Sequence, residues 1–107
     1  SNVLRATHLR KQIEQIFKVP PLAPDEMFSH MGSILVPQHI KALPEYKVPE
    51  GETLDPLWLE LYKRYGIEIV VSRFKNKRIM RFSMHVHVRK SDEERLLKAC
   101  LSLKERD

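Results

Sequence analysis

The sequence has few cysteines, few glycines and no long apolar run, and each scarcity excludes a class of protein. The single cysteine, Cys100, rules out an internal disulfide and is typical of a reducing compartment, so we expect a cytoplasmic protein. Three widely separated glycines leave no glycine-rich phosphate loop. No apolar run approaches the roughly 20 residues that a membrane-spanning helix needs, so we expect no membrane partner.

The chain of 107 residues is rich in charged side chains and has a formal net charge of +5. This length predicts one domain with a modest core. Carboxylates are interspersed with the basic residues in both terminal helical patterns, which is typical of a solvated surface, so we expect no nucleic-acid partner. The chain lacks an initiator Met and enters a helical pattern at once, and we expect residues 1–107 to be a single domain cut from a longer protein.

Hydrophobic spacing predicts three helices and three strands. In chain order they are a helix over 3–17, a strand over 33–36, a helix over 56–65, strands over 67–72 and 80–88, and a helix from 91 to about 106. Asn76 marks a hairpin turn between the last two strands. This order predicts an α+β domain, in which a small, mostly antiparallel three-stranded sheet packs on helices that cover one face.

Residues that favour helix ends delimit two of the helices. Asp55 as N-cap, Pro56 at the first helical position and Gly66 as a left-handed C-cap bound the middle helix. Ser91 and Glu94 form a capping box that opens the last helix. The residues predicted to be buried in these two helices are Leu57, Trp58, Leu61, Tyr62 and Tyr65, and Leu96, Leu97, Cys100, Leu101 and Leu103.

The last predicted strand alternates strictly between apolar and polar side chains. Its polar side carries Arg81, Ser83, His85 and His87. The two histidines share a face but lack a third ligand, so we expect no metal. Arg81 is the strongest candidate for a ligand-binding residue, because its planar guanidinium matches a carboxylate and stays charged at any working pH. The residues alone leave two readings open for it, an external carboxylate or an internal ion pair.

Arg81-x-Ser83, followed by His87, Asp92 and a leucine-rich helix, resembles the end of the class V aminotransferase-like enzymes. These are fold type I pyridoxal-phosphate proteins, and the chain is most similar to their isopenicillin N epimerase-like and cysteine desulfurase-like branch. The resemblance covers nearly the whole chain, in the expected order, but only as the small C-terminal domain. It includes the first helix with its Pro-rich exit, residues 31–37, the helix ending at Tyr65-Gly66, and the strand that begins at Ile67.

The resemblance implies a site that binds an amino-acid substrate. Arg81 would bind the α-carboxylate and Ser83 would support the strand, with His85 and His87 as weaker candidates on the same face. The family usually has Tyr-Asn where this chain has His87-Val88. Substrate identity, and the choice between epimerisation, transamination and desulfuration, therefore stay open.

The resemblance also implies what this chain lacks. In the family, the Schiff-base lysine, the acid that pairs with the pyridine nitrogen and the ring-stacking residue belong to the large domain. We therefore expect no catalytic and no cofactor-binding residue here, with pyridoxal phosphate bound by the rest of the same chain in a homodimeric parent. The exposed settings predicted for Lys75, Lys77 and Lys90 do not suit a Schiff base, and the isolated chain is expected to be inactive.

Two alternatives from other classes remain. A small basic domain with this order of elements could be an RNA-binding module, although its aromatic residues are predicted to lie on apolar faces rather than exposed. It could also be a protein-interaction module without a site, in which Arg81 is merely ion-paired.

Overall fold

A computed structural model describes residues 2–22, 32–82 and 90–106 of the chain. Three helices and three strands occur in these ranges. They are α1 (Asn2–Phe17), β1 (Ser33–Leu35), α2 (Pro56–Tyr65), β2 (Val70–Phe74), β3 (Lys77–Arg81) and α3 (Lys90–Lys104). The α+β class and the element order predicted from the sequence are confirmed.

The three strands form one antiparallel sheet in the order β1-β3-β2, so β3 is central. A two-residue turn joins β2 to β3, and both of its residues, Lys75 and Asn76, have positive φ values of 47° and 66°. Two successive left-handed residues give the tight turn whose twist matches a hairpin. The predicted hairpin around Asn76 is therefore confirmed.

All three described helices lie on one face of the sheet. Ile34 of β1, Val71 of β2 and Met80 of β3 are fully buried on that face. Together with the apolar stripes of the helices they form a single core cluster. The helical contributors are Ala6, Leu9, Ile13 and Phe17 of α1, Leu57 and Leu61 of α2, and Leu96, Ala99, Cys100 and Leu103 of α3. The predicted covering of one face is confirmed, and so is the burial of Cys100.

Helix α2 begins and ends where its capping residues predict. The Asp55 carboxylate accepts a hydrogen bond from the Leu57 N–H at 2.9 Å, and Pro56 occupies the first turn. Gly66 has a left-handed conformation, with φ of 68° and ψ of 30°, and its N–H bonds back to the last turn. The N-cap stabilises the helix by about 1 kcal/mol. The two caps set where α2 begins and ends.

Several predicted boundaries are wrong. The strand predicted over 80–88 is β3 over Lys77–Arg81, because its pairing with β2 continues to the turn, where Lys77 faces Phe74; residues 83–88 lie outside the described ranges.

Strand β2 begins at Val70, not Ile67, because its pairing starts where Val70 faces Arg81 and because the Ile67 N–H is held by the Leu61 carbonyl of the α2 cap. Helix α3 already includes Ser91, which therefore lies inside the helix and is not its N-cap.

Two side chains predicted to be buried are exposed instead. Leu101 is 46% exposed, since residues 96, 100 and 103 point to the core and position 101 lies on another side of the same helix. Tyr62 is 49% exposed and stacks on the Trp58 ring, with 6.5 Å between ring centroids. In the described ranges no helix is both long enough and apolar enough to cross a bilayer.

Candidate functional site

The face of the sheet opposite the described helices carries the candidate residue Arg81. Side chains of β3 alternate, so Ile79 and Arg81 point away from the face that holds Met80. Ile79 is only 4% exposed and yet is not part of the core cluster. On the same outer face Val70 is 47% exposed and Phe74 is 37% exposed. We call this surface, formed by Ser33, Leu35, Val70, Ser72, Phe74, Ile79 and Arg81, the outer sheet face.

Arg81 ends the central strand and is exposed. Its neighbours across the sheet are Ser33 on one side and Val70 on the other. No carboxylate of the described ranges lies within ion-pair distance of its guanidinium, so the internal ion pair considered for Arg81 is not formed with any of them. The five donors of the guanidinium are thus presented at one end of the outer sheet face.

Ser33 lies next to Arg81 at a close pairing position. The flanking pairs are hydrogen-bonded, with the Phe82 N–H donating to the Gly32 carbonyl at 3.1 Å and the Val36 N–H donating to the Arg78 carbonyl at 2.8 Å. Ser33 and Arg81 therefore occupy a non-hydrogen-bonded position, where Cα atoms approach to about 4.5 Å and side chains are close. The Ser33 side chain is buried, and its hydroxyl has no hydrogen-bond partner among the described residues.

Gly32 allows the two strands to approach beside this pair. A Cβ atom at position 32 would lie 2.7 Å from the Phe82 carbonyl oxygen and 3.3 Å from its ring. The backbone oxygen cannot move without breaking the β1–β3 pairing. Gly32 is therefore required for this close approach and not for a positive φ.

The buried ion pair of β3 belongs to Arg78, which sequence reasoning did not single out. Its Nε lies 2.8 Å from Asp55 Oδ2 and its Nη2 lies 3.1 Å from Asp55 Oδ1, while Nη1 donates to the Pro37 carbonyl at 2.9 Å. Both side chains are under 10% exposed. The same carboxylate caps α2, so one pair ties β3, residue 37 and the start of α2 together. The available signal was alternation, because Arg78 shares the inner face with Met80.

A second buried carboxylate, Glu60 of α2, anchors the end of the chain. Its fully buried side chain accepts hydrogen bonds from Arg106 at 2.7 and 2.8 Å, from Arg64 at 3.2 Å and from the Leu43 N–H at 2.9 Å. Burial alone would raise the pKa of Glu60, but the bonds from Arg106 and the Leu43 N–H, with the Arg106 charge, lower that pKa overall. Glu60 is therefore a structural anion.

The remaining predicted site residues, Ser83, His85 and His87, lie outside the described residues. Within the described part of the chain, no group of three His, Cys, Asp or Glu side chains is placed to bind a metal. The lysines at positions 75, 77 and 90 are all exposed. An exposed amine keeps its full hydration, so none of the three fits the role of a cofactor-bound lysine.

Comparison with known proteins identifies no relative. No protein-family model, no curated protein and no solved structure matches this chain significantly.

Proposed function

We propose that this chain is the C-terminal small domain of a pyridoxal-phosphate-dependent enzyme and that Arg81 binds the carboxylate of an amino-acid substrate. One observation carries the proposal. The Arg81 guanidinium is exposed at the end of the central strand and has no carboxylate partner among the described residues. A fixed cation of this kind is suited to an external anion, and its fork matches a carboxylate with two parallel hydrogen bonds.

The surroundings of Arg81 support contact between this part of the sheet and a second domain. The outer sheet face carries Ile79 at its centre, with the exposed Val70 and Phe74 near it, and none of the described helices covers it. Ile79 is already buried, but the exposed apolar surface of Val70 and Phe74 is costly to leave in water, about 25 cal/mol for each Å². We assign this face to contact with the large domain of the same chain, in a homodimeric cytoplasmic enzyme.

The cofactor belongs to that large domain. Pyridoxal phosphate supplies an electron sink to a bound amino acid, and none of the described lysines here is desolvated enough to hold it. The part played by this chain is positional. Two hydrogen bonds from Arg81 to the carboxylate would fix the orientation of the substrate Cα, and a bound geometry of this kind lowers the entropic part of the barrier.

The test uses the full-length protein that contains this chain. Its absorbance with pyridoxal phosphate should show a cofactor band that disappears when one upstream lysine is replaced. In that protein, Arg81→Ala should leave the band and the fold intact and weaken amino-acid binding by about 2 kcal/mol, roughly thirtyfold, because a charged pair of hydrogen bonds is lost. Arg81→Lys is the matched variant, which keeps the charge, loses the fork and should recover only part of the affinity.

A full-length protein that binds no cofactor would refute the enzyme assignment. The apolar outer sheet face would then favour the second candidate, a protein-interaction module without a catalytic role. That candidate predicts that replacing Val70 or Phe74 by Ser abolishes partner binding, whereas Arg81→Ala has no effect on any small-molecule ligand. An RNA-binding module is disfavoured, since the exposed aromatics Phe74 and Tyr62 belong to separate elements, β2 and α2.

A further inference from the structure

A concave basic surface lies at the tip of the β2–β3 hairpin, where it meets the loop that follows β1. Two adjoining pockets of about 410 and 540 Å³ share Gln38, Arg73 and Arg78 in their linings. Lys41 and Tyr46 line the first pocket, and Lys75 and Lys77 line the second. We call the two pockets together the hairpin groove.

The shape of the hairpin groove is held by specific bonds. The Gln38 side chain donates from Nε2 to the Asn76 carbonyl at 2.9 Å, which ties the loop to the turn. The left-handed conformations of Lys75 and Asn76 fix the direction of the turn itself. At the other end, Arg78 is clamped by Asp55 and the Pro37 carbonyl. A ligand would therefore meet a largely preformed surface, which reduces the entropy lost on binding.

The charge of the hairpin groove is strongly unbalanced. Five cationic side chains line it, and Asp55 is the one carboxylate among the described lining residues. That carboxylate already accepts two hydrogen bonds from Arg78, and Arg73 Nε lies 3.7 Å from it. The Arg73 side chain is still 49% exposed, and Lys75 extends over the Phe74 ring, with Nζ 5.2 Å from its centroid. Lys41, Arg73 and Lys75 therefore keep the field in the groove positive, and an anion is drawn to it.

We propose that the hairpin groove binds a ligand that carries several phosphate groups. Phosphate is the anion with the highest charge density common in cells, and lysines placed as separate point charges are suited to it. Gln38 and Tyr46 add neutral hydrogen-bond donors to the same lining. The site is separate from Arg81, which does not line it, so the proposal stands whether or not the assigned enzyme function is correct.

The groove favours phosphate recognition without base stacking. A nucleic-acid surface usually presents aromatic rings to the bases. Phe74 is the one aromatic residue of the second pocket, and the Lys75 side chain lies over its ring. The phosphates could come from a free oligophosphate or from a nucleic-acid backbone, and the two sources differ in affinity for the same lysines.

The experiment titrates the chain with inorganic tripolyphosphate and follows backbone amide NMR signals. Signals of residues 38 and 73–78 should shift, and the double variant Lys41→Gln/Lys75→Gln should weaken binding by about tenfold, as two exposed charge contacts are lost. The matched control, Lys63→Gln/Lys98→Gln, removes the same charge from two exposed helical lysines outside the groove and should leave affinity unchanged.

A parallel titration with a short single-stranded RNA identifies the source of the phosphates. Equal or weaker binding of the RNA indicates a free oligophosphate, and tighter binding that the groove variant also loses indicates a nucleic-acid backbone. The proposal is overturned if the shifts fall outside the groove or if the control variant loses as much affinity as the groove variant. It is also overturned if oligoglutamate binds the same residues as tightly as tripolyphosphate, because the groove would then be a site for acidic peptides.

Discussion

Arg78 and Arg81 stand three residues apart on the same strand and have opposite environments. Arg78 points to the inner face, is 7% exposed and makes three hydrogen bonds, two of them to a buried carboxylate. Arg81 points to the outer sheet face, is exposed and meets no carboxylate of the described ranges. An odd separation on a strand reverses the face, so one guanidinium is part of the framework and the other is exposed on the opposite face.

The contrast shows why a mid-strand arginine cannot be assigned a role from its type alone. Arg78 is expensive to bury, and it is tolerated because Asp55 and the Pro37 carbonyl occupy its donors. The position of Arg81 has little desolvation cost, because this residue is exposed. Function is therefore expected at Arg81, whose donors meet no carboxylate of the described ranges, rather than at Arg78.

The largest loss of stability should come from Arg78→Met, which removes the buried arginine of the two. Asp55 would keep its bond from the Leu57 N–H and the Arg73 guanidinium at 3.7 Å, but would lose the two short hydrogen bonds from its buried partner Arg78. Loss of one partner of such a pair costs about 3 kcal/mol in free energy of unfolding, measurable by urea denaturation. In the double variant Asp55→Asn/Arg78→Met no charge is stranded, so part of this loss should be recovered. An unchanged stability in Arg78→Met would contradict the assignment of a structural pair.

An intermediate loss of stability should come from Glu60→Gln, which tests the buried ion pair of Glu60 with Arg106. The variant keeps the shape of the side chain but removes the charge that Arg106 and Arg64 contact, and should cost about 2 kcal/mol at neutral pH. The folded-state pKa of Glu60 lies below its ordinary value of 4.5. Its ionised form therefore contributes stability that is fully present above pH 4.5 and is lost as the pH falls through the lowered pKa.

The pH dependence of Glu60 separates charge from packing. Urea unfolding of wild type and Glu60→Gln, measured from neutral pH downward, should give a difference in stability that is constant above pH 4.5 and shrinks below it. A difference that stays constant to the lowest pH would show that the cost is one of packing alone.

The smallest effect on stability should come from Arg81→Met, the matched substitution at the exposed end of the comparison. Exposed strand positions without a partner usually change stability by less than about 0.5 kcal/mol. Substitution by Met should therefore cost several times less free energy of unfolding at Arg81 than at Arg78. A loss comparable to that of Arg78→Met would show that Arg81 is also bound into the fold and would weaken its assignment to a substrate.

Local signals predicted α2 and the hairpin well, whereas the capping box predicted at Ser91 was wrong. Asp55, Pro56 and Gly66 bound α2 because a cap acts on backbone groups within one turn of it. The turn at Asn76 was predicted for the same reason. Boundaries that depend on a distant partner were predicted less well, as for β2, whose first residue is set by its pairing with Arg81.

The candidate site could be predicted only in part. Alternation placed Arg81 on the polar side of β3, and the structure exposes it there. Arg78 was missed, because the predicted strand began at Met80, and the carboxylate that accepts the Arg78 bonds lies 23 positions away, where no local pattern joins the two. The hairpin groove likewise depends on a loop and a turn that are distant in sequence and meet only in the fold.

The single thiol, Cys100, makes the opening of the core measurable by its rate of chemical labelling. The side chain is fully buried between α3 and the core, and burial raises the pKa of the thiol to about 12. At mildly alkaline pH almost no thiolate exists in the folded state, so a thiol reagent can react only after the core has opened. The rate at which a thiol reagent labels wild type and each variant described above therefore reports the free energy of opening, without an introduced cysteine.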